Sequence, residues 1–551
     1  MKIPRFIACL TALLCMAAGC RSEDDAAVRA LARRIIPEHE KQFRFERLTD
    51  TTECFELESR GSKIVVRGNS SASIAVGLNH YLKNYCLTTV SWHACNPVEM
   101  PAVLPRIDEK VRVESRARER FFLNYCTFGY TMPWWGWTEW ERFIDWMALQ
   151  GVTMPLAITG QEAVWQRVWT RLGLSDEEVR AYFTGPAHLP WHRMSNIDRW
   201  QGPLPEEWID GQLALQQRIL ARERELGMKP VLPAFAGHVP QELKRLHPDA
   251  RITRVSYWGG FDDRYRCSFL DPMDPLFAVI QREFLTEQTR LFGTGHIYGA
   301  DPFNEIDAPT WDPETLAGMS RHIYESMAEV DPEAVWLQMG WLFYADPTHW
   351  TAENIRAFLG AVPQDRLLML DYFCEFTEIW KQTEKFHGQP YLWCYLGNFG
   401  GNTMLSGNFH TVSARMEDAF AHGGDNLRGV GSTLEGFGVN QFMYEFVLDK
   451  AWNTGIADDE WFARQADRRT GFRDPAARTG GHDSRRPALR AARPRNPLFP
   501  FFRRGRAGRG RLGGPLPHVS VGYACYHPER DSIEDVIARA DQMMYHYKRK
   551  L

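Results

Sequence analysis

The sequence predicts an α/β protein: a (β/α)8 TIM barrel preceded by a small α/β domain and followed by a truncated, disordered C-terminal region. Three observations carry this. Between about 116 and 455, short β-leaning apolar runs alternate with amphipathic helical runs, the pattern of a parallel sheet wound with helices. The strand candidates number eight, the count that closes a barrel. Polar and aromatic residues gather just after each strand candidate, where a barrel keeps its chemistry.

The elements follow in chain order. MKIPRFIACLTALLCMAAGC carries Lys2 and Arg5, an apolar run from Phe6 to Ala18, and small residues before Cys20. This is the form of a secretory signal over 1–19, too short for a membrane span. Ala17-Ala18-Gly19-Cys20 is similar to a bacterial lipobox, with alanine where leucine is more usual. Lipidation of Cys20 is expected, and with it export to the periplasm or outer membrane of a bacterium, the lipid being the sole link to a membrane. From 26 to 114, FELES and KIVVRGN predict strands, and SSASIAVGLNHYLKNY predicts a helix opened by Ser70 or Ser71.

The barrel, 116–455, has strand candidates RFFLNYC (120–126), VTMPLAI (152–158), KPVLPAF (229–235), HIYGA (296–300), AVWLQM (334–339), RLLMLDY (366–372), YLWCYL (391–396) and LRGVGS (427–432). TEWERFIDWMALQ, EEWIDGQLALQQRILARERELG and PLFAVIQREFLTEQTRLFG are helical runs between them. The chain changes character near 467. Residues 468–515 hold fourteen arginines and no lysine, with many Gly and Pro, so 481–516 predicts disorder rather than a packed domain. A strand and an amphipathic helix return over 519–551.

Composition narrows the function. A net charge of −4 offers no basic excess to collect phosphates, so no nucleic-acid partner is expected. The 20 tryptophans suit a cleft for sugars, whose C–H faces pack on aromatic rings, although a large aromatic core explains them equally. The cysteines left after the signal form no CxxC pair, HVPQELKRLH lacks the order of a zinc protease, and there is neither a G-x-S-x-G elbow nor a Walker loop. No metal and no cofactor are expected.

Two carboxylates stand out. Glu305 follows the fourth strand in YGADPFNEID, and Glu435 follows the eighth in GVGSTLEGFG. A barrel brings both strand ends to one rim, and glycoside hydrolysis needs such a pair: one group protonates the leaving oxygen, the other attacks the anomeric carbon or activates water. Asn304 is placed to bond a sugar 2-substituent. Structural ion pairs with arginine are the alternative for either glutamate, and Asp301, Asp307 and Asp371 compete for the roles.

The stretches FIDWMALQGVTMPLAITGQEAVWQRVW, YFTGPAHLPWHRM, GMKPVLPAFAGHVP, YGADPFNEI, AVWLQMGWLF and LWCYLGNFGGN resemble the alpha-N-acetylglucosaminidases of glycoside hydrolase family 89, over about 30–455. The resemblance implies a retaining enzyme that releases terminal, non-reducing α-linked N-acetylglucosamine from glycans. It implies Glu305 as acid/base, Glu435 as nucleophile, and sugar contacts at Asn124, Cys126, Trp200, Trp258, Asn304, Trp341 and Asn398. A protonated Glu305 and an ionised Glu435 are expected at rest. The family continues into a helical domain that walls the cleft. Here 456–480 would begin it and then break off, so a catalytically impaired, sugar-binding remnant is the alternative. The last 33 residues resemble the end of a GGDEF diguanylate cyclase domain without its GGDEF loop, which suggests a chimeric or frameshifted reading frame.

Overall fold

The computed structural model describes residues 25–473 apart from 94–97, 403–408 and 440, and beyond them only 475 and 478. The expected signal 1–19, the lipidation site Cys20, most of 456–480 past 473, and the segments 481–516 and 519–551 lie outside the described residues.

The first domain is a four-stranded sheet with two helices. Asp25 caps the helix Ala26–Ile35 by accepting the Val28 N–H. The strands β1 (Phe43–Arg47), β2 (Cys54–Arg60), β3 (Lys63–Gly68) and β4 (Val111–Glu114) lie in the order β1-β3-β2-β4. β2 and β3 and the helix after them are the elements expected from sequence; the helix is Ser71–Asn84, with Ser70 as its cap.

That helix is buried on nearly all sides. One side covers its own sheet and the other lies on the barrel helix Trp137–Gln150, which is why its sequence shows no polar face. Polar bonds cross the junction at defined points. Asn79 Nδ2 donates to the Leu149 carbonyl at 2.8 Å, and the Lys83 ammonium reaches Gln150 Oε1 at 2.9 Å and Asp449 at 3.1 Å. Arg34 forks onto Asp145 with two bonds of 2.6 Å. Such two-pronged contacts fix orientation as well as distance.

The barrel begins with β5 (Glu119–Phe122), β6 (Met154–Pro155) and β7 (Leu232–Pro233). A three-stranded antiparallel sheet follows β7, made of β8 (His238–Val239), β9 (Ile252–Arg254) and β10 (Ser268–Leu270). The barrel resumes with β11 (Ile297–Gly299), β12 (Val335–Met339), β13 (Leu367–Asp371), β14 (Tyr391–Tyr395) and β15 (Leu427–Ser432). All eight expected strands are present, paired in parallel in the order β6-β5-β15-β14-β13-β12-β11-β7. A parallel bridge between Leu156 and Val231 joins the two ends and closes the ring.

Closure is tight where β15 meets β5. A Cβ on Gly429 would stand 1.8 Å from the Glu119 carbonyl oxygen, so only glycine lets these strands pair. The tryptophans divide between the two readings: half of the 20 are buried, Trp146, Trp336 and Trp393 among them, while Trp200, Trp258 and Trp341 keep partly open faces. The last described helix, Asp458–Thr470, lies back on the barrel, its Trp461 Nε1 donating to Asp449 at 2.9 Å. Among the described residues no helix is long and apolar enough to cross a membrane.

Candidate active site

The strand β11 stops at Gly299, and the chain turns at once under three local constraints. Asp301 Oδ1 accepts from the Met339 N–H at 2.7 Å and from Gln338 Nε2 at 3.1 Å, which ties the turn to the end of β12. Phe303 sits at φ +63°, a region that costs a bulky side chain on the order of 1–3 kcal/mol, and its buried ring packs on Phe269 at 5.7 Å. The strained turn sets Asn304 and Glu305 side by side at the rim. Asn304 is 5% exposed, and its Oδ1 has no partner among the described residues.

Glu305 is partly exposed, and one of its oxygens is held from two sides. Oε2 accepts from Asn196 Nδ2 at 3.1 Å and from Trp258 Nε1 at 3.0 Å. Neither donor belongs to β11. Asn196 follows the short helix Leu189–Arg193, and Trp258 lies in the loop between β9 and β10. Their agreement on one oxygen fixes the carboxyl plane.

Glu435 leaves the end of β15. Its Oε2 accepts the Gly400 N–H, and its own N–H donates to the Asn398 carbonyl at 3.4 Å. Gly400 and Gly401 both have positive φ, so this stretch coils tightly enough to aim an N–H at the carboxylate. The coil is anchored by Glu375, which accepts from Leu396 N at 3.1 Å and Gly397 N at 2.5 Å. Burial pushes the Glu435 carboxyl up to about 7; the Glu305 charge adds to the rise and the Gly400 bond opposes it. This bears on the expectation of an ionised Glu435 at rest: its pocket withdraws water from the carboxylate and places it beside a second one, so it ionises less readily than a free glutamate. That Glu305 bears on Glu435 places the two carboxyls in one site.

The remaining expected contacts fall into two groups. Trp258, Asn304 and Asn398 touch the carboxylates or adjoin them; Asn398 is fully buried, its Nδ2 donating to the Asn402 carbonyl and its Oδ1 left unpartnered among the described residues. Cys126 also lies here: burial, then the charges of Glu435 and Glu305, push its thiol well up, so it faces the pair as a neutral thiol. Trp341 packs on Tyr372 and Phe399 at ring separations of 6.3 and 6.0 Å. Trp200 stands edge-on to Phe261 and Tyr265 at 4.9 and 5.0 Å. Asn124 works from inside the fold. Its Oδ1 accepts from Cys126 N at 2.9 Å and its Nδ2 donates to the Thr433 carbonyl at 2.8 Å, fastening the exit of β5 to the exit of β15 two residues before Glu435.

Of the competing carboxylates, Asp371 is fully buried and accepts from Ile379 N at 3.2 Å and Trp380 N at 2.9 Å, which makes it a structural cap. Asp301 is the tether already described, and Asp307 is exposed on the surface. Asn196 was not foreseen. An asparagine in HRMSNID has no local signal; only the fold brings it to Glu305. Tyr130 and Tyr372 were also not foreseen; burial raises both phenols, and Glu435 is among the charges each one feels.

Comparison with known proteins places this geometry. Residues 120–454 match the alpha-N-acetylglucosaminidase (NAGLU) tim-barrel domain, and 26–106 match the N-terminal domain of the same family. Human alpha-N-acetylglucosaminidase is 42% identical over 471 residues, covering 84% of this chain and 63% of the human protein. A family 89 glycoside hydrolase from Clostridium perfringens, solved with 2-acetamido-1,2-dideoxynojirimycin, superimposes with a TM-score of 0.77 at 29% identity, covering 84% of this chain and 52% of that one. The same figures hold for a form of that enzyme with two Glu-to-Gln substitutions in complex with its substrate GlcNAc-alpha-1,4-galactose. The chain thus spans about 63% of the human relative and about half of the clostridial one. On its first domain and its barrel together, the chain belongs to the alpha-N-acetylglucosaminidase family.

Proposed function

We propose that the protein is a retaining exo-glycoside hydrolase that releases terminal, non-reducing α-linked N-acetylglucosamine from glycans. The observation that supports this most is the placement of two oriented carboxyls on one barrel rim, Glu305 after β11 held by Asn196 and Trp258, and Glu435 after β15 held by the Gly400 N–H. Glu305 protonates the glycosidic oxygen as the bond to the leaving sugar breaks, while a Glu435 oxygen forms a bond to the anomeric carbon. Water then attacks that carbon, Glu305 takes its proton, and the Glu435 carboxylate leaves.

The half-buried Glu435 suits this task. A carboxylate short of water is poorly stabilised before reaction and gains most when positive charge develops on the adjacent sugar carbon. Two neighbouring carboxyls also tend to share a single proton, and the mechanism begins with that proton on Glu305 and with Glu435 ionised. The unpartnered Oδ1 of Asn304, beside Glu305, is an acceptor for the N–H of a 2-acetamido group. The relative that binds GlcNAc-alpha-1,4-galactose supports this choice of sugar. The N-terminal pattern before Cys20 supports an exported, lipid-anchored protein.

The test is nitrophenol release from an aryl α-N-acetylglucosaminide by the purified chain, with Glu305→Gln and Glu435→Ala beside it. Glu435→Ala should abolish turnover of every substrate. Glu305→Gln should spare the aryl substrate, whose leaving group needs no proton, far more than a disaccharide. Equal losses on both substrates would remove Glu305 from the acid role. A folded but inert wild type would favour a sugar-binding remnant, and inversion of the released sugar would exclude the covalent intermediate.

A further inference from the structure

Beside the acid carboxylate stands a buried cluster that the hydrolytic mechanism leaves unused. His192 is the penultimate residue of the short helix Leu189–Arg193, Asp198 follows Asn196 by two residues, and His238 opens β8. His238 Nε2 lies 2.8 Å and His192 Nδ1 3.1 Å from the same oxygen, Asp198 Oδ1, and the three donor atoms lie within 4.8 Å of one another. The side chains of His192, Asp198 and His238 are 6%, 3% and 10% exposed. The two imidazoles meet at a ring separation of 4.7 Å.

We propose that His192, Asp198 and His238 bind one divalent transition-metal ion of the zinc class. Hydrogen bonds alone account for the cluster only in part. His238 Nε2 is aligned to bond Asp198, but His192 Nδ1, although near the same oxygen, is not aligned and has no hydrogen-bond partner among the described residues. A nitrogen so deeply buried and so poorly satisfied is costly. An ion shared by the three groups removes that cost. Zinc holds nitrogen and carboxylate oxygen at about 2.0–2.2 Å, which sets ligand atoms in a tetrahedron roughly 3.3 Å apart. The 2.8 and 3.1 Å separations need to open only slightly.

The donor set selects the ion. Two imidazoles with one carboxylate suit zinc, cobalt or nickel, whereas calcium and magnesium require oxygen throughout. The surroundings hold the ligands as second neighbours of a metal do. Cys267 Sγ lies 3.4 Å from Asp198 Oδ1, and Asp198 N–H donates to the Tyr265 carbonyl at 2.9 Å. Three protein donors leave the fourth position to water.

The ion would act as a brace. His192 and Asp198 flank Asn196, and His238 belongs to the small sheet whose β9–β10 loop carries Trp258. Asn196 and Trp258 are the two donors to Glu305. One ion would therefore pin together both segments that orient the acid, without touching the sugar.

The decisive experiment strips the full-length chain with a chelator, dialyses it and titrates it with cobalt(II) alone, then with zinc(II) alone. The expected result is one equivalent bound, with the visible absorption of four-coordinate cobalt and a zinc-dependent rise in melting temperature. His192→Gln and His238→Gln should each weaken binding by about tenfold or more, since each deletes one of three protein ligands. Asp346→Asn, in the separate surface group of Asp307, Asp346 and His349, should leave it unchanged. A stripped wild type that is folded by circular dichroism yet takes up neither ion overturns the proposal. So does uptake by both histidine variants that equals uptake by the wild type. If one variant fails to fold, the wild-type titration and the other variant still decide.

Discussion

Trp258→Phe isolates one hydrogen bond at the acid. The substitution keeps an aromatic ring in place and deletes the Nε1–H that reaches Glu305 Oε2 at 3.0 Å, leaving Asn196 as the remaining donor. A hydrogen bond to a charged group contributes about 1.5–3 kcal/mol, and this half-exposed pair belongs at the lower end. Each 1.4 kcal/mol is about tenfold in rate, so kcat/KM on a disaccharide should fall roughly 10- to 30-fold. With a nitrophenyl leaving group, which needs little protonation, the loss should be only a few-fold. The assay is steady-state kinetics on both substrates, repeated in the Glu305→Gln background. There the second substitution should add almost nothing, because the bond's partner is altered already. Equal losses on the two substrates, or full additivity in the double variant, would mean that Trp258 serves as a sugar platform and the bond to Glu305 is incidental.

Other expectations are as direct. The proposed mechanism requires an ionised Glu435, and its carboxyl is pushed up to about 7, so kcat/KM should decline as pH drops below about 7. In Glu305→Gln the neighbouring charge is gone and that limb should move to lower pH on the aryl substrate; an unmoved limb would refute the coupling. Gly429→Ala drives a methyl into the Glu119 carbonyl, a clash expected to cost more than about 4 kcal/mol, and a soluble variant with the parent melting temperature would contradict the closure of the barrel. The Glu375 carboxyl is raised by burial to about 7, so between about 4.3 and 7 the folded chain holds a proton that the unfolded chain has released. Stability must fall as pH rises through that window, and Glu375→Gln should flatten the fall by about 1–3 kcal/mol in urea titrations at pH 5 and 7.5. A steeper fall in the variant would reverse the assignment.

Much of this was legible in the sequence. The eight strands could be read because each barrel strand is buried on both faces and so appears as a short apolar run between helices. Their lengths could not: β6 and β7 keep only two paired residues each, since tilt and twist end the ladder before the apolar run ends. The helix Ala26–Ile35, β1, β4 and the small antiparallel sheet were not read, the last because two- and three-residue strands carry no period. Glu305 and Glu435 were legible because strand ends meet on a rim whatever their separation in the chain. Asn196 was not, nor was the internal fastening role of Asn124, because an asparagine's partner is set only by the fold. The upward pull on Glu435 was not legible for a similar reason. The burial of Glu435 comes from the 397–402 coil, and nothing in STLEGFG reports it. The expectation of no metal rested on CxxC and H-E-x-x-H spacing, patterns that do not bear on side chains spread from 192 to 238, where the proposed site lies.

The helix Ser71–Asn84 changes what the border between the two domains means. A family boundary falls between 106 and 120, yet this helix gives one side to the sheet and the other to the barrel. Neither half can keep its apolar surface covered alone. A barrel produced without the first domain would expose the flank of Trp137–Gln150 and take from Asp145 its two-pronged partner Arg34, leaving the longer 3.8 Å pairing with Arg222. The annexed sheet is thus an obligate chaperone in cis for the barrel. A lesion in it, at Asn79 or Lys83 for instance, would register as missing protein rather than as altered chemistry at the barrel rim.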